Sequence, residues 1–290
     1  MNLINSFKVL TYIQIHPLLW FVMALAIMTA HFFELTMFLI IVLIHELGHA
    51  FAASFYSWRI KRISLLPFGG VAEMDEHGNR PLKEEAIVTL AGPLQHVWMI
   101  GGAILFYHIN WLPEDLYKQF IEFNTMVLVF NMLPIWPLDG GKLLYLWRSL
   151  HESFVVAHKK TLIISASCLI LFSLLLLFIQ PVNLNLWIVI SFLAFSLYYE
   201  WKQRRYVFLR FLLERYYGSK MEFQSLKPIH VKEEESVLVV LEQFKRGQKH
   251  LIVIEKEDNE TSQLDENELL HAYFSEKRLS AKIGELLYPY

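Results

Sequence analysis

The sequence predicts an α-helical membrane protein, with six transmembrane helices and a re-entrant β-hairpin, followed by a small C-terminal α+β domain. Three observations predict it. Six apolar runs approach the roughly 20 residues a helix needs to cross the hydrocarbon core. Of 290 residues, 55% are hydrophobic and 15% aromatic, rich for a soluble protein and ordinary for one that meets lipid. From about Met221 the chain turns charged and polar and loses its long apolar runs. The expected organisation is a membrane domain over 1–200, an interfacial linker over 201–220 and a cytoplasmic domain over 221–290.

The runs cover about Pro17–Phe33, Leu35–Ala53, Ala86–His108, Gln119–Leu133, Thr161–Gln180 and Leu184–Tyr199. The fourth is short and stops at Pro134. A soluble helical protein would carry a polar stripe on each helix, and the fifth run shows almost none. Residues 1–16 lack the small-residue cleavage site of a signal peptide, so the first run is expected to stay as an anchor. Between the second and third runs, Arg59–Glu73 alternates partly and turns at Gly69-Gly70, which predicts a β-hairpin. Trp201–Gly218 is aromatic and basic, as an interfacial helix or linker would be.

Basic residues orient the set. Lys8 precedes the first run; Arg59, Lys61, Arg62, Arg80 and Lys83 follow the second. Lys142, Arg148, Lys159 and Lys160 lie after the fourth, and Lys202, Arg204, Arg205 and Arg210 after the sixth. Only Lys118 falls on the opposite side, so both termini are expected in the cytoplasm. The net charge of −2 gives no global basic field, and no direct nucleic-acid partner is expected. Cys168 is the single cysteine, which excludes an internal disulfide and a cysteine metal site.

Chemistry concentrates in His45-Glu46-Leu47-Gly48-His49. Positions i and i+4 share one helix face, so both imidazoles can reach one zinc ion. A catalytic zinc takes three protein ligands and keeps a position for water, and Glu46 stands where it can accept a proton from that water. His45 lies about 15 Å into its apolar run. Ionisable groups at such depth cost roughly 2.5–3.5 kcal/mol each, and a dication compensates them. A polar face lining a transport cavity is the competing explanation.

Asp139 is the expected third ligand. It lies in Asn131-Met-Leu-Pro134-Ile-Trp-Pro137-Leu-Asp139-Gly140-Gly141, where two prolines bar regular helix and two glycines permit sharp turns. Broken backbone at membrane depth survives only where protein buries it or water fills a cavity. Alone, such a string would read as a cytoplasmic turn; beside a zinc helix it reads as a ligand loop. Asn131 is a candidate hydrogen-bond donor to an oxyanion or a substrate backbone, or else a capping or packing residue. Pro137 and the hairpin residues Gly69 and Gly70 are candidate substrate contacts. The strand near Ile63–Leu66 is expected to be an edge that pairs with an extended substrate.

Together, the His45–His49 motif in a second membrane helix and the Asn131–Gly141 segment resemble the site-2 protease family of intramembrane zinc metalloproteases. Pro67-Phe-Gly-Gly70 and Ala91-Gly-Pro93 match further segments of that family. The helix layout and soluble tail most resemble its sporulation branch. The resemblance implies one Zn2+ per chain held by His45, His49 and Asp139, with Glu46 as general base. It also implies a membrane-associated sigma-factor precursor as substrate, membrane inhibitor proteins as partners, and the mother-cell membrane around the forespore as location.

For the tail the expected order is strand, helix, strand pair, helix, with His250–Glu255 the clearest strand and Leu264–Phe274 the clearest helix. It resembles a single CBS module, which implies ATP or another adenine nucleotide as a ligand. Such modules usually work in pairs, which implies homo-oligomers; a small docking domain is the alternative. Two rivals to the protease remain: a six-helix transporter or channel with a CBS regulator, and a noncatalytic scaffold. The sequence has no inverted repeat of the transporter kind, and Glu46 is intact.

Overall fold

A computed structural model describes residues 9–66, 69–74, 80–179, 182–218, 225–255, 261–278 and 280–287. Lys8 and the Pro67-Phe68 pair lie outside them. The chain forms two compact units: the first draws on residues 1–76, 83–143 and 165–196, the second on 77–82, 144–164 and 197–290.

The first unit starts with a 3-10 turn and strand β1 (Ile13–Ile15), then helix α1 (Pro17–Met28). Pro17 supplies a preset φ at the first helical position, and the His16 ring accepts the Leu18 N–H at 3.2 Å. Ala30 has a φ of 61° and ends the apolar run as a helix. Helix α2 (Phe32–Phe55) follows, then strands β2 (Ile60–Leu66) and β3 (Gly69–Met74), α3 (Leu82–His108), α4 (Glu114–Asn131) and α5 (Asp139–Ser149). Leu19, Leu39, Ile41, Val42, Leu65, Met99 and Val127 form one buried core. Helices α6 (Phe154–Ile179) and α7 (Leu184–Tyr217) contribute Leu169, Ile190 and Leu193 to a second core around Ile135.

Among the described residues four helices, α2, α3, α6 and α7, are long and apolar enough to cross a membrane, where the sequence led us to expect six. Helix α1 has 12 residues, about 18 Å, short of the roughly 30 Å core. Helix α4 opens with Glu114, Asp115 and Lys118, which shortens its apolar part. Lipid-facing character is plain on α6, where Leu171 is 60% and Phe178 87% exposed. Helix α7 also runs unbroken through Trp201, where the sequence suggested a separate interfacial segment; no proline or glycine interrupts it.

A β-hairpin is present: β2 and β3 pair antiparallel, with Leu66 opposite Gly69. The expected free edge at Ile63–Leu66 is not there. Strand β1 pairs parallel with β2, placing Ile13 opposite Ile63 and Ile15 opposite Leu65, so the order is β1-β2-β3 and β2 is central. A three-residue strand far away in sequence leaves no local signal of this pairing.

In the second unit, β4 (Ser225–Lys232), α8 (Val237–Leu241), β5 (Gln248–Glu255), β6 (Thr261–Asp265) and α9 (Glu266–Phe274) follow the order the sequence suggests. The sheet runs β4-β5-β6, parallel then antiparallel. Asp265 and Glu268 form a capping box at the start of α9. A buried ion pair lies within this unit, between the C-terminal end of α7 and α9. The Arg215 fork meets Glu266 at 2.6 and 2.7 Å and donates to the Lys245 and Gln248 carbonyls, while Glu266 accepts the His250 N–H at 2.8 Å.

Burial alone would push the Glu266 carboxyl up, but His250 and Arg215 outweigh it and hold it below the ordinary range. Burial lowers His250 in turn. Both folded values are depressed, so both contributions are present at neutral pH and are lost on acidification. The His250 contribution fades first, below about pH 6.5, and that of Glu266 below about pH 4.3. Protection of the β5 amides from hydrogen exchange, corrected for intrinsic pH dependence, should fall over that range. Glu266→Gln strands the Arg215 cation and should cost about 3–5 kcal/mol of local stability. Equal β5 protection in wild type and Glu266→Gln would show that the pair is not holding this unit together.

Candidate metal centre

Three ligating atoms converge in the first unit. His45 Nε2, His49 Nε2 and Asp139 Oδ2 lie 3.1 Å from one another in every pairing. All three residues are buried. The two imidazoles come from one face of α2, one turn apart, and His45 sits about 20 Å along that helix from its start. Asp139 is the first residue of α5.

The broken segment before α5 explains how a residue so distant reaches them. Helix α4 ends at Asn131, and its backbone tightens through Leu133, Ile135 and Leu138. The buried Ser165 hydroxyl accepts the Trp136 N–H at 3.0 Å and donates to the Pro134 carbonyl at 3.3 Å, satisfying backbone that no helix ladder serves. The Trp136–Pro137 peptide is cis. A Cβ at Gly140 would overlap the Met132 and Leu133 carbonyls, and one at Gly141 would crowd Ile135 and Trp136. The double glycine is thus a requirement of close backbone approach, and that approach delivers Asp139.

Each imidazole is oriented from behind. His49 Nδ1 lies 2.8 Å from the Val88 carbonyl of α3. His45 Nδ1 lies 3.1 Å from His96 Nε2, and His96 Nδ1 lies 3.0 Å from Asn124 Oδ1 on α4. Asn124 in turn donates to the Phe120 carbonyl at 2.9 Å. Lys142 Nζ holds the other Asp139 oxygen, Oδ1, at 3.3 Å and leaves Oδ2 facing the imidazoles. A two-histidine, one-carboxylate donor set with both rings anchored at their second nitrogen is the pattern zinc sites use. The residues present therefore fit a zinc ion.

Glu46 is buried beside the cluster, and β3 reaches it: a Cβ at Gly70 would overlap its side chain. Gly69 has a φ of 152° and open space around it. Pro137 is half-buried. Asn131 donates to the Val127 carbonyl of its own helix at 3.0 Å. The sequence reading missed His96, Asn124, Lys142 and Gly92. A signal existed for the first two, since each is a polar residue within an apolar helix, and both are fully buried.

Comparison with known proteins agrees with this geometry. Residues 33–114 match the model for Peptidase family M50. The chain is 50% identical over 278 residues to Stage IV sporulation protein FB of Bacillus subtilis, covering 96% of each protein. It is 36% identical over 130 residues to a zinc metalloprotease of Methanocaldococcus jannaschii, covering 42% of this chain and 37% of that one. The solved site-2 protease from the same archaeon superposes with a TM-score of 0.51 at 28% identity, over 65% of this chain and 89% of that one. Half of all positions shared along nearly the whole length of both proteins decides the matter: this chain belongs to peptidase family M50, the site-2 protease family, and is a metalloprotease.

Proposed function

We propose that this chain hydrolyses a peptide bond of a membrane-associated protein, a sigma-factor precursor of sporulation, at a zinc held by His45, His49 and Asp139. The mutual 3.1 Å approach of three buried ligating atoms beside Glu46 carries the proposal. When bound, zinc supplies Lewis acidity, which lowers the pKa of a coordinated water toward about 7 and polarises the scissile carbonyl. Glu46 accepts the proton of the attacking water and returns it to the leaving amine. The missing side chain at Gly70 leaves the room that the Glu46 side chain occupies. Lys142 keeps Asp139 turned toward the imidazoles.

A helical substrate must be extended before it is cut, which exposes backbone groups that lipid cannot satisfy. With β2 paired on both sides, the substrate contact moves to β3, whose Gly69 and Gly70 permit close approach beside Glu46. On this reading the hairpin is re-entrant, Pro137 lines the path, and α1 and α4 complete a six-helix membrane domain within 1–200. Asn131, bonded to its own helix, fits a packing role better than oxyanion contact. Segment 201–220 then links to a cytoplasmic tail over 221–290, with both termini cytoplasmic. The sporulation name of the Bacillus subtilis relative supports a role in sporulation; the sigma-factor substrate, the mother-cell location and restraint by membrane inhibitors rest on the sequence resemblance alone. The CBS reading of the tail, its adenine nucleotide and its self-association rest on the sequence resemblance alone. The transport alternative has no support from a peptidase family match.

Co-expression with a candidate sigma-factor precursor tests the reaction. Glu46→Gln should abolish cleavage by at least about 10³-fold while about one zinc per chain remains, and turnover in that variant would remove Glu46 from the base role. Zinc retained after changing both His45 and His49 would remove the metal site. Gly92 gives a sharper probe, because a Cβ there would strike the His49 ring, whereas a Cβ at Gly101 of the same helix meets nothing. Helix propensity alone favours alanine at both sites by about 1 kcal/mol. Gly92→Ala should lose zinc and activity at least tenfold, and Gly101→Ala should keep both; the zinc content of the two purified proteins decides.

A further inference from the structure

We infer that His96 and Asn124 are positioning residues: they form a fixed-direction relay that holds His45 in the one tautomer able to ligate metal. The inference rests on the zinc reading above and goes beyond it to residues outside the ligand set.

The direction of each hydrogen bond follows from its far end. The Phe120 carbonyl can only accept, so the Asn124 amide nitrogen must face it, at 2.9 Å. The Asn124 oxygen therefore faces His96 Nδ1, at 3.0 Å, and it too can only accept. His96 Nδ1 must then carry the proton, which leaves its Nε2 with a lone pair when the ring is neutral. That lone pair faces His45 Nδ1 at 3.1 Å, so His45 carries its proton on Nδ1. His45 Nε2, the atom that faces His49 and Asp139, is left with a free lone pair. A ring in the other tautomer would point an N–H into the cluster and two lone pairs at one another behind it.

His49 reaches the same end by a shorter route, since its Nδ1 donates straight to the Val88 carbonyl. Val88, Gly92 and His96 succeed one another at four-residue steps along α3, so a single stripe of that helix faces both ligands. Val88 orients His49, Gly92 makes room for its ring, and His96 orients His45. His96 and Asn124 are each 0% exposed. A buried pair of this kind needs a partner at each polar atom, and this chain of bonds gives one to each.

The test uses the full-length protein in detergent micelles, with zinc affinity measured by competition against a chromogenic chelator. His96→Leu fills the space and removes the acceptor; His96→Gln returns an amide oxygen close to the position of Nε2. Outer-shell partners of metal-binding histidines are typically worth 10–100-fold in metal affinity. His96→Leu should therefore bind zinc about 10–100-fold more weakly, His96→Gln within about threefold of wild type, and the two metal-free proteins should unfold at similar temperatures. With Co2+ in place of zinc, the ligand-field bands of His96→Gln should match wild type, and those of His96→Leu should shift. If His96→Leu does not fold, Asn124→Ala, which frees His96 to take either tautomer, should show at least about a fivefold loss. Zinc binding in wild type with equal affinities in the Gln and Leu variants, or no loss in Asn124→Ala, overturns the relay and leaves the zinc reading standing. A wild-type protein that binds no zinc overturns both.

Discussion

Two imidazoles and a carboxylate meeting within 3.1 Å inside an apolar helical unit is the constraint to which the rest of the first unit answers. Three such groups, buried and empty-handed, would be costly: rings and carboxylate would have to share protons in a medium that solvates none of them well. On the zinc reading, a divalent cation would turn that liability into cohesion. The requirement it places on the protein is geometric, because each donor must present one chosen lone pair at a fixed place.

The surrounding residues read as answers to that requirement. Small residues let backbones close on the ligands: Gly92 admits the His49 ring, Gly48 lets α2 approach the Ala91 carbonyl of α3, and Gly140 and Gly141 seat α5 on the turn that precedes it. Polar residues then lock what the close approach allows. Ser165 satisfies the interrupted backbone near Pro134, and Lys142 turns Asp139. Helix packing in an apolar solvent depends on small residues at the contact, since hydrophobic burial gives no preference for one helix neighbour over lipid. Here that general rule and the candidate metal centre use the same positions.

How much of this was legible in the sequence depended on whether the signal was local. His45 and His49 announce themselves by one-turn spacing, and Asp139 by prolines and glycines that cannot be regular helix. The tail strands and helices were visible from their own composition. His96 and Asn124 were not found, because nothing local connects them to a histidine 51 residues earlier or to each other 28 residues apart. The break after α1 was read near Phe33–Leu35 and lies instead at Thr29–His31, because the left-handed turn there is taken by Ala30, with no glycine or proline to mark it. Among the described residues α1 and α4 fall short of the length and hydropathy of the other four apolar helices, α1 because it ends after 12 residues and α4 because its first turn carries Glu114 and Asp115. Strand β1 could not be foreseen at all, since three residues gain their identity only from the partner they meet.

That last miss changes where an incoming strand can bind. A sheet of order β1-β2-β3 extends only at its two outer edges, β1 and β3. Of these, β3 carries Gly70, whose backbone lies where a side chain would displace Glu46. The hairpin therefore brings a strand edge and the proposed proton acceptor to one place. An unwinding membrane helix needs partners for the backbone groups it exposes, and it needs them where its peptide bond will be attacked. Pairing along β3 meets both needs with one element, and the absence of a side chain at Gly70 is what allows the two to coincide.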